Sequence, residues 1–144
     1  MERRELKNNS ESVVLNVVFR HLTPFIMLFA VYILIHGHYS PGGGFQAGAL
    51  LGVMLIFVKM AQGDNVKWDL DVKGSLILSC VGALVCLTLG VSSFVHGGNF
   101  LDYGVLPLAE TAPEARAMGI LIFESGVMLT VAAIVKIIYD LLVE

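Results

Sequence analysis

Four apolar stretches dominate this chain, each long enough for a bilayer crossing, and the fourth exceeds one crossing, so tilt or projection beyond the membrane is expected there. The first runs from about Val13 to His36, and the second from the Ser40-Pro41-Gly42-Gly43-Gly44 run to about Met60. The third runs from about Gly74 to Phe94. The fourth is announced by Thr111-Ala112-Pro113-Glu114 and continues through Met118 to about Leu142. Crossing the hydrocarbon layer takes about 20 predominantly apolar residues. Within lipid a single stretch must satisfy its own backbone hydrogen bonds, so each one reads as a helix. Composition agrees, since 56% of the 144 residues are hydrophobic and only 15% are charged. A water-soluble domain carries roughly 25% charged residues, so a soluble enzyme, a nucleic-acid binder and a disordered tail are all disfavoured. The net charge of -3 gives no basic field that would draw the chain to nucleic acid. The expected class is all-α, an integral membrane protein with four transmembrane helices.

Residues 1–12 are polar and read as a cytoplasmic N-terminus, not as a cleavable signal peptide, and 13–144 read as one four-helix membrane domain. Pro24 removes a backbone donor inside the first stretch. A kink or restart is expected there, either as one long helix with Arg20 snorkelling or as an interfacial Val13–Phe19 followed by a buried Leu22–Ile35. Ser40 and Pro41 suit the N-cap and first position of the second helix, and Thr111 to Glu114 suit a capping box at the fourth. Lysine and arginine placement sets the orientation. With both termini inside, the cytoplasmic side holds Arg3, Arg4, Lys7, Arg20, Lys59, Lys67, Lys73 and Lys136, and the outer side holds Arg116. The expected topology is therefore N-in and C-in. Cys80 and Cys86, six apart on one helix, are not placed to form a disulfide.

The residue most out of place is Glu124, set between Ile120-Leu121-Ile122-Phe123 and Val127-Met128-Leu129. A carboxylate in hydrocarbon is costly and faces protein or water, often on an ion pathway. Glu124 is thus a candidate for a proton or cation relay, with a structural hydrogen bond or ion pair as the alternative. His36 and His38 fall on the outer side and are further ion-path candidates, or else they end a helix and bond loop backbone. No metal site is expected, because no acidic ligand is spaced to complete one. Gly44, Gly48 and Gly52 form a small-residue stripe on the second helix, and Gly82, Cys86 and Gly90 form another on the third. Such stripes let backbones approach closely in lipid, so Gly48, Gly52, Gly82 and Gly90 are read as helix-packing positions, within the chain or against partner subunits. No nucleophile–base pair or cofactor fingerprint is present, so no catalytic residue is assigned and the chain does not read as an enzyme.

The run His36-Gly37-His38-Tyr39-Ser40-Pro41-Gly42-Gly43-Gly44-Phe45-Gln46-Ala47-Gly48 resembles the signature of the MnhB/MrpB family, small subunits of Mrp-type multisubunit sodium/proton antiporters. Arg20-His21-Leu22-Thr23-Pro24 and the four-helix pattern match as well, and the resemblance covers about Val13 to Leu142. It implies a multi-pass plasma-membrane subunit with no redox cofactor. Its partners would be the lipid bilayer and other membrane subunits, including large ones like the proton-pumping subunits of respiratory complex I. The transported species would be Na+ and H+. The resemblance also makes Pro41, Gly42, Gly43, Gly44 and Phe45 a signature turn. Related modules serve membrane-bound hydrogenase-type respiratory complexes, which is the alternative host, and a purely structural scaffold role is the third reading.

Overall fold

The computed structural model describes the backbone of residues 2–37, 42–62 and 70–143, and the side chains of 17–37, 42–60 and 70–143. Within these residues the chain is all-helical. It has four long helices, α1 (Glu2–His36), α2 (Gly44–Gln62), α3 (Val72–Val95) and α4 (Ala112–Val143), and a short 3-10 helix at Tyr103–Val105 between the last two. Three helical segments, Val17–His36, Val72–Val95 and Ala112–Val143, are long and apolar enough to cross a membrane by length and composition. The apolar part of α2, Gly44–Met60, is shorter.

The helix boundaries have local causes. The Asp71 side chain caps α3 by accepting from the Lys73 amide, and Ser75 N–H donates to the Asp71 carbonyl at 2.9 Å. At α4, Ala115 N–H donates to the Thr111 carbonyl at 2.9 Å. α1 runs through Pro24 as one helix, and beside the missing donor Thr23 Oγ1 donates to the Phe19 carbonyl at 2.7 Å. The α2 helix begins at Gly44, later than the Ser40-Pro41 start expected from the sequence, with Gly42 and Gly43 non-helical. Ser40 and Pro41 themselves lie outside the described residues.

α4 is the central element. α2 and α3 both pack on it, α1 packs on α2, and α1 meets α4 only lightly, so α1 and α3 stand at the two edges. Many of the side chains turned inward are small: Ala47 and Ala30 are fully buried and Ala115 and Ala133 nearly so, beside Leu34, Met54, Val58 and Leu106, while Phe25 is 71% and Leu28 73% exposed. So many large apolar side chains on the outside is unlike a water-soluble domain, where most go inside. Close backbone approach of small residues is how helices associate in lipid, where apolar surface gains little by leaving the solvent.

Candidate functional site

Glu124 projects from the middle of α4 onto the turn that joins α1 to α2. Its Oε2 lies 2.7 Å from where a Cβ on Gly37 would stand, and its Oε1 lies 3.1 Å from the corresponding position on Gly43. A Cβ on Gly44 would collide with the Glu124 backbone carbonyl oxygen. The glycines are therefore needed for contact: without side chains, the turn admits both the α4 backbone and its carboxylate. Gly43 also has φ +123°, a conformation that other residues rarely adopt. Its carbonyl accepts the Ala47 amide at 3.0 Å and so opens α2. The positive end of α2 consequently faces a region where it favours negative charge.

Glu124, Gly43 and Gly44 line a groove of about 380 Å³ with Gly42, Phe45, Tyr103, Ile120, Phe123 and Val127. Tyr103 closes it from the loop after α3. Its ring lies against Gly119, where a Cβ would come within 2.6 Å, and its centroid is 6.4 Å from that of Phe123. The Asp102 side chain accepts from Gly104 N–H at 3.3 Å and holds the short helix that presents Tyr103. Burial pushes the Tyr103 phenol above its ordinary value of 10.0, and negative charge at Cys86 and Glu124 adds to the effect. Among the groove-lining residues only Glu124 and Tyr103 can ionise.

The histidines are placed differently. His36 ends α1, its Nδ1 lies 3.0 Å from the Tyr32 carbonyl, and its ring stacks on Tyr32 with centroids 4.1 Å apart. His38 and Pro41 lie outside the described residues. Of the signature residues that are described, Gly42, Gly43, Gly44 and Phe45 all line the same groove as Glu124. No group of three or more His, Cys, Asp or Glu that could hold a metal ion occurs among the described residues.

The family described as "Domain related to MnhB subunit of Na+/H+ antiporter" matches residues 14–137, most of the chain. The chain belongs to the MnhB family. Among its relatives, the B subunit of the Na(+)/H(+) antiporter of Bacillus subtilis (strain 168) is 28% identical over 142 residues, 96% of this chain and 97% of that protein. An uncharacterized protein of Methanocaldococcus jannaschii is 37% identical over 76 residues, 53% of this chain and 29% of that protein. The A/B subunit of a probable K(+)/H(+) antiporter of Rhizobium meliloti (strain 1021) is 32% identical over 116 residues, 77% of this chain but 11% of that much longer protein.

Around the groove, this MnhB domain is held by its other glycines. Gly48 lies against the Met128 carbonyl and Val131, and Gly52 lies against Val135, both on α4. Gly82 and Gly126 mark the crossing of α3 and α4. A Cβ on Gly82 would stand 2.6 Å from the Gly126 carbonyl oxygen, and one on Gly126 would stand 2.8 Å from the Gly82 carbonyl oxygen. Thr130 Oγ1 sits there between the Gly126 and Ser79 carbonyls, at 2.9 and 3.3 Å. Gly90 meets no helix at its Cβ position, which points into the Phe100 ring of the following loop.

A second polar cluster lies about 24 Å farther along α4, at 1.5 Å per residue. Asp140 bridges two lysines, with Oδ1 2.7 Å from Lys59 Nζ and Oδ2 2.6 Å from Lys136 Nζ. Lys136 is 2% exposed and also donates to the Leu70 carbonyl. The cluster ties the C-terminal end of α2 to α4 and to the approach of α3. Reading the sequence for topology treats Lys59 and Lys136 as interfacial charges and misses this network. The available signal was Lys136 and Asp140 at i and i+4 on an otherwise apolar helix, where ionisable residues pair.

Proposed function

We propose that this chain is the B-type subunit of an Mrp-type multisubunit cation/proton antiporter and that the Glu124 groove forms part of its ion path. Its four helices all cross the plasma membrane, with both termini in the cytoplasm. Its partners are the other membrane subunits, including large ones like the proton-pumping subunits of complex I. The chain acts without a cofactor and without catalytic chemistry of its own. The observation that carries the reading is the Glu124 carboxylate seated on Gly37 and Gly43 in a groove whose other ionisable group, Tyr103, is held neutral. A carboxylate in that position can take up and release a proton, or hold a cation with the help of backbone carbonyls. Family membership supports the assignment to an Na+/H+ antiporter, as does the name of the Bacillus subtilis relative, which matches over nearly its full length.

The test is to purify the complex through a tag on this chain and reconstitute it in vesicles. Co-purification of the other antiporter subunits and cation-driven proton movement are expected. Co-purification of nickel and iron–sulfur hydrogenase subunits instead would overturn the antiporter assignment.

A further inference from the structure

We propose that the cleft between α1 and α3 is a binding site for one anionic phospholipid, with an acyl chain along its apolar floor and the phosphate on Arg20. α2 and α4 form the floor and the two edge helices form the walls. The cavity is about 500 Å³, with Met27, Leu51, Met54, Leu55, Leu78 and Leu129 among its lining. Arg20 lines the same cavity. Arg20 and Val58 are the lining residues farthest toward the N-terminus of α1 and the C-terminus of α2, so Arg20 stands at one end of the cleft, next to Phe19, which stacks on Phe57 with centroids 5.0 Å apart. Its guanidinium is exposed and makes no hydrogen bond or ion pair among the described residues. The one hydroxyl in the lining, on Thr23, already donates to Phe19.

Two features favour a lipid over a helix of a neighbouring subunit. Helices associate in membranes through small residues or interhelical hydrogen bonds. The small-residue positions Gly48, Gly52, Gly82 and Gly126 are taken up in the α2–α4 and α3–α4 seams. The cleft instead offers leucine and methionine side chains, which adapt to a flexible chain. The charged side chain among the described residues that line it is an arginine, whose planar donor fork matches a phosphate, and basic pockets between membrane helices recruit anionic headgroups.

The inference rests on the chain lying in lipid as part of the antiporter complex, and the test separates the two claims. The intact complex would carry one bimane-labelled thiol at Leu78→Cys, with its other reactive cysteines replaced. It is reconstituted in vesicles containing phosphatidylglycerol or phosphatidylcholine brominated along the acyl chains. Brominated phosphatidylglycerol should quench with about fivefold higher apparent affinity, the equivalent of about 1 kcal/mol for one basic side chain. Arg20→Gln should bring the two lipids to equality, and Arg20→Lys should keep most of the preference. Equal quenching by both lipids in the wild type would reduce the cleft to bulk lipid contact and overturn the site. Quenching by neither would mean that a neighbouring subunit covers it, which also overturns the site. Proton exchange is read in the same vesicles, so normal exchange with equal quenching removes the lipid site and leaves the antiporter reading standing.

Discussion

A carboxylate oxygen of Glu124 fills the place where Gly37 would carry a side chain, 2.7 Å from the position of a Cβ there. One side chain of α4 thereby reaches the last turn of α1 and the first residues before α2. The charge of that carboxylate also acts on the Tyr103 phenol.

Tyr103 should report that charge. Its phenol lies above 10.0 because burial disfavours the phenolate, with Cys86 and Glu124 contributing electrostatically. A folded-state value raised in this way gives stability that is present below 10.0 and lost as pH rises through the folded value. Phenolate absorbance, taken as wild type minus Tyr103→Phe, should show a late titration. In Glu124→Gln it should move down toward the ordinary value. An unchanged titration would mean that Glu124 carries no charge beside Tyr103.

Two glycines of α3 should behave oppositely. At Gly82 an added methyl meets the Gly126 carbonyl oxygen at 2.6 Å and the Thr130 amide nitrogen at 2.9 Å, which are backbone atoms that cannot move aside. Gly82→Ala should destabilise by about 1–3 kcal/mol through overpacking. At Gly74 the nearest atom is the end of the Leu70 side chain at 3.3 Å. Gly74→Ala should be neutral or gain about 0.5–1 kcal/mol from helix propensity. Thermal melts of the solubilised complex would show the ordering.

Removal of Asp140 should be more damaging than removal of its less buried partner. Asp140→Ala leaves Lys136, 2% exposed, without the carboxylate 2.6 Å away. Breaking a buried pair costs about 3–5 kcal/mol. Lys59→Met should cost less, because the Lys59 side chain is 27% exposed and Asp140 keeps Lys136. Replacing the pair together, Lys136→Met with Asp140→Leu, should recover most of the loss. The amount of folded chain in membranes at graded temperatures measures all three.

Topology can be read by thiol labelling. Ala109 and Glu110 are exposed in the loop after α3, on the side expected to face outward. Ala109→Cys should react with an impermeant reagent in intact cells. Asp64→Cys, at a position outside the described residues, should react only after the membrane is opened. The reverse pattern would overturn the inward-facing termini.

The helices were legible because apolar length is a local property, and Glu124 was legible because a carboxylate among isoleucine, leucine and phenylalanine is locally anomalous. What Glu124 touches was not, since Gly37 and Gly43 lie far away in the chain and no periodicity links them. Tyr103 was hidden for a related reason. It follows Asp102 in a turn-rich segment, and nothing local says that this segment folds down onto Gly119. The Lys59–Asp140–Lys136 network was hidden because charges near helix ends also serve as topology signals, and that use accounts for them without any partner. The capping preferences of Ser40 and Pro41 point to an earlier start of α2 than Gly44. They are outweighed by Gly42 and Gly43, which are held out of the helix, with Gly43 at φ +123° beside the Glu124 carboxylate.

The most direct measurement is cation/proton exchange by the reconstituted complex carrying Glu124→Gln, with assembly checked on a native gel. The substitution keeps the size and hydrogen-bonding capacity of the side chain and removes its charge. Normal assembly with exchange reduced at least about tenfold, equivalent to about 1.4 kcal/mol, is the expected result. Normal assembly with wild-type exchange and an unchanged pH profile would contradict a role for this carboxylate in the ion path.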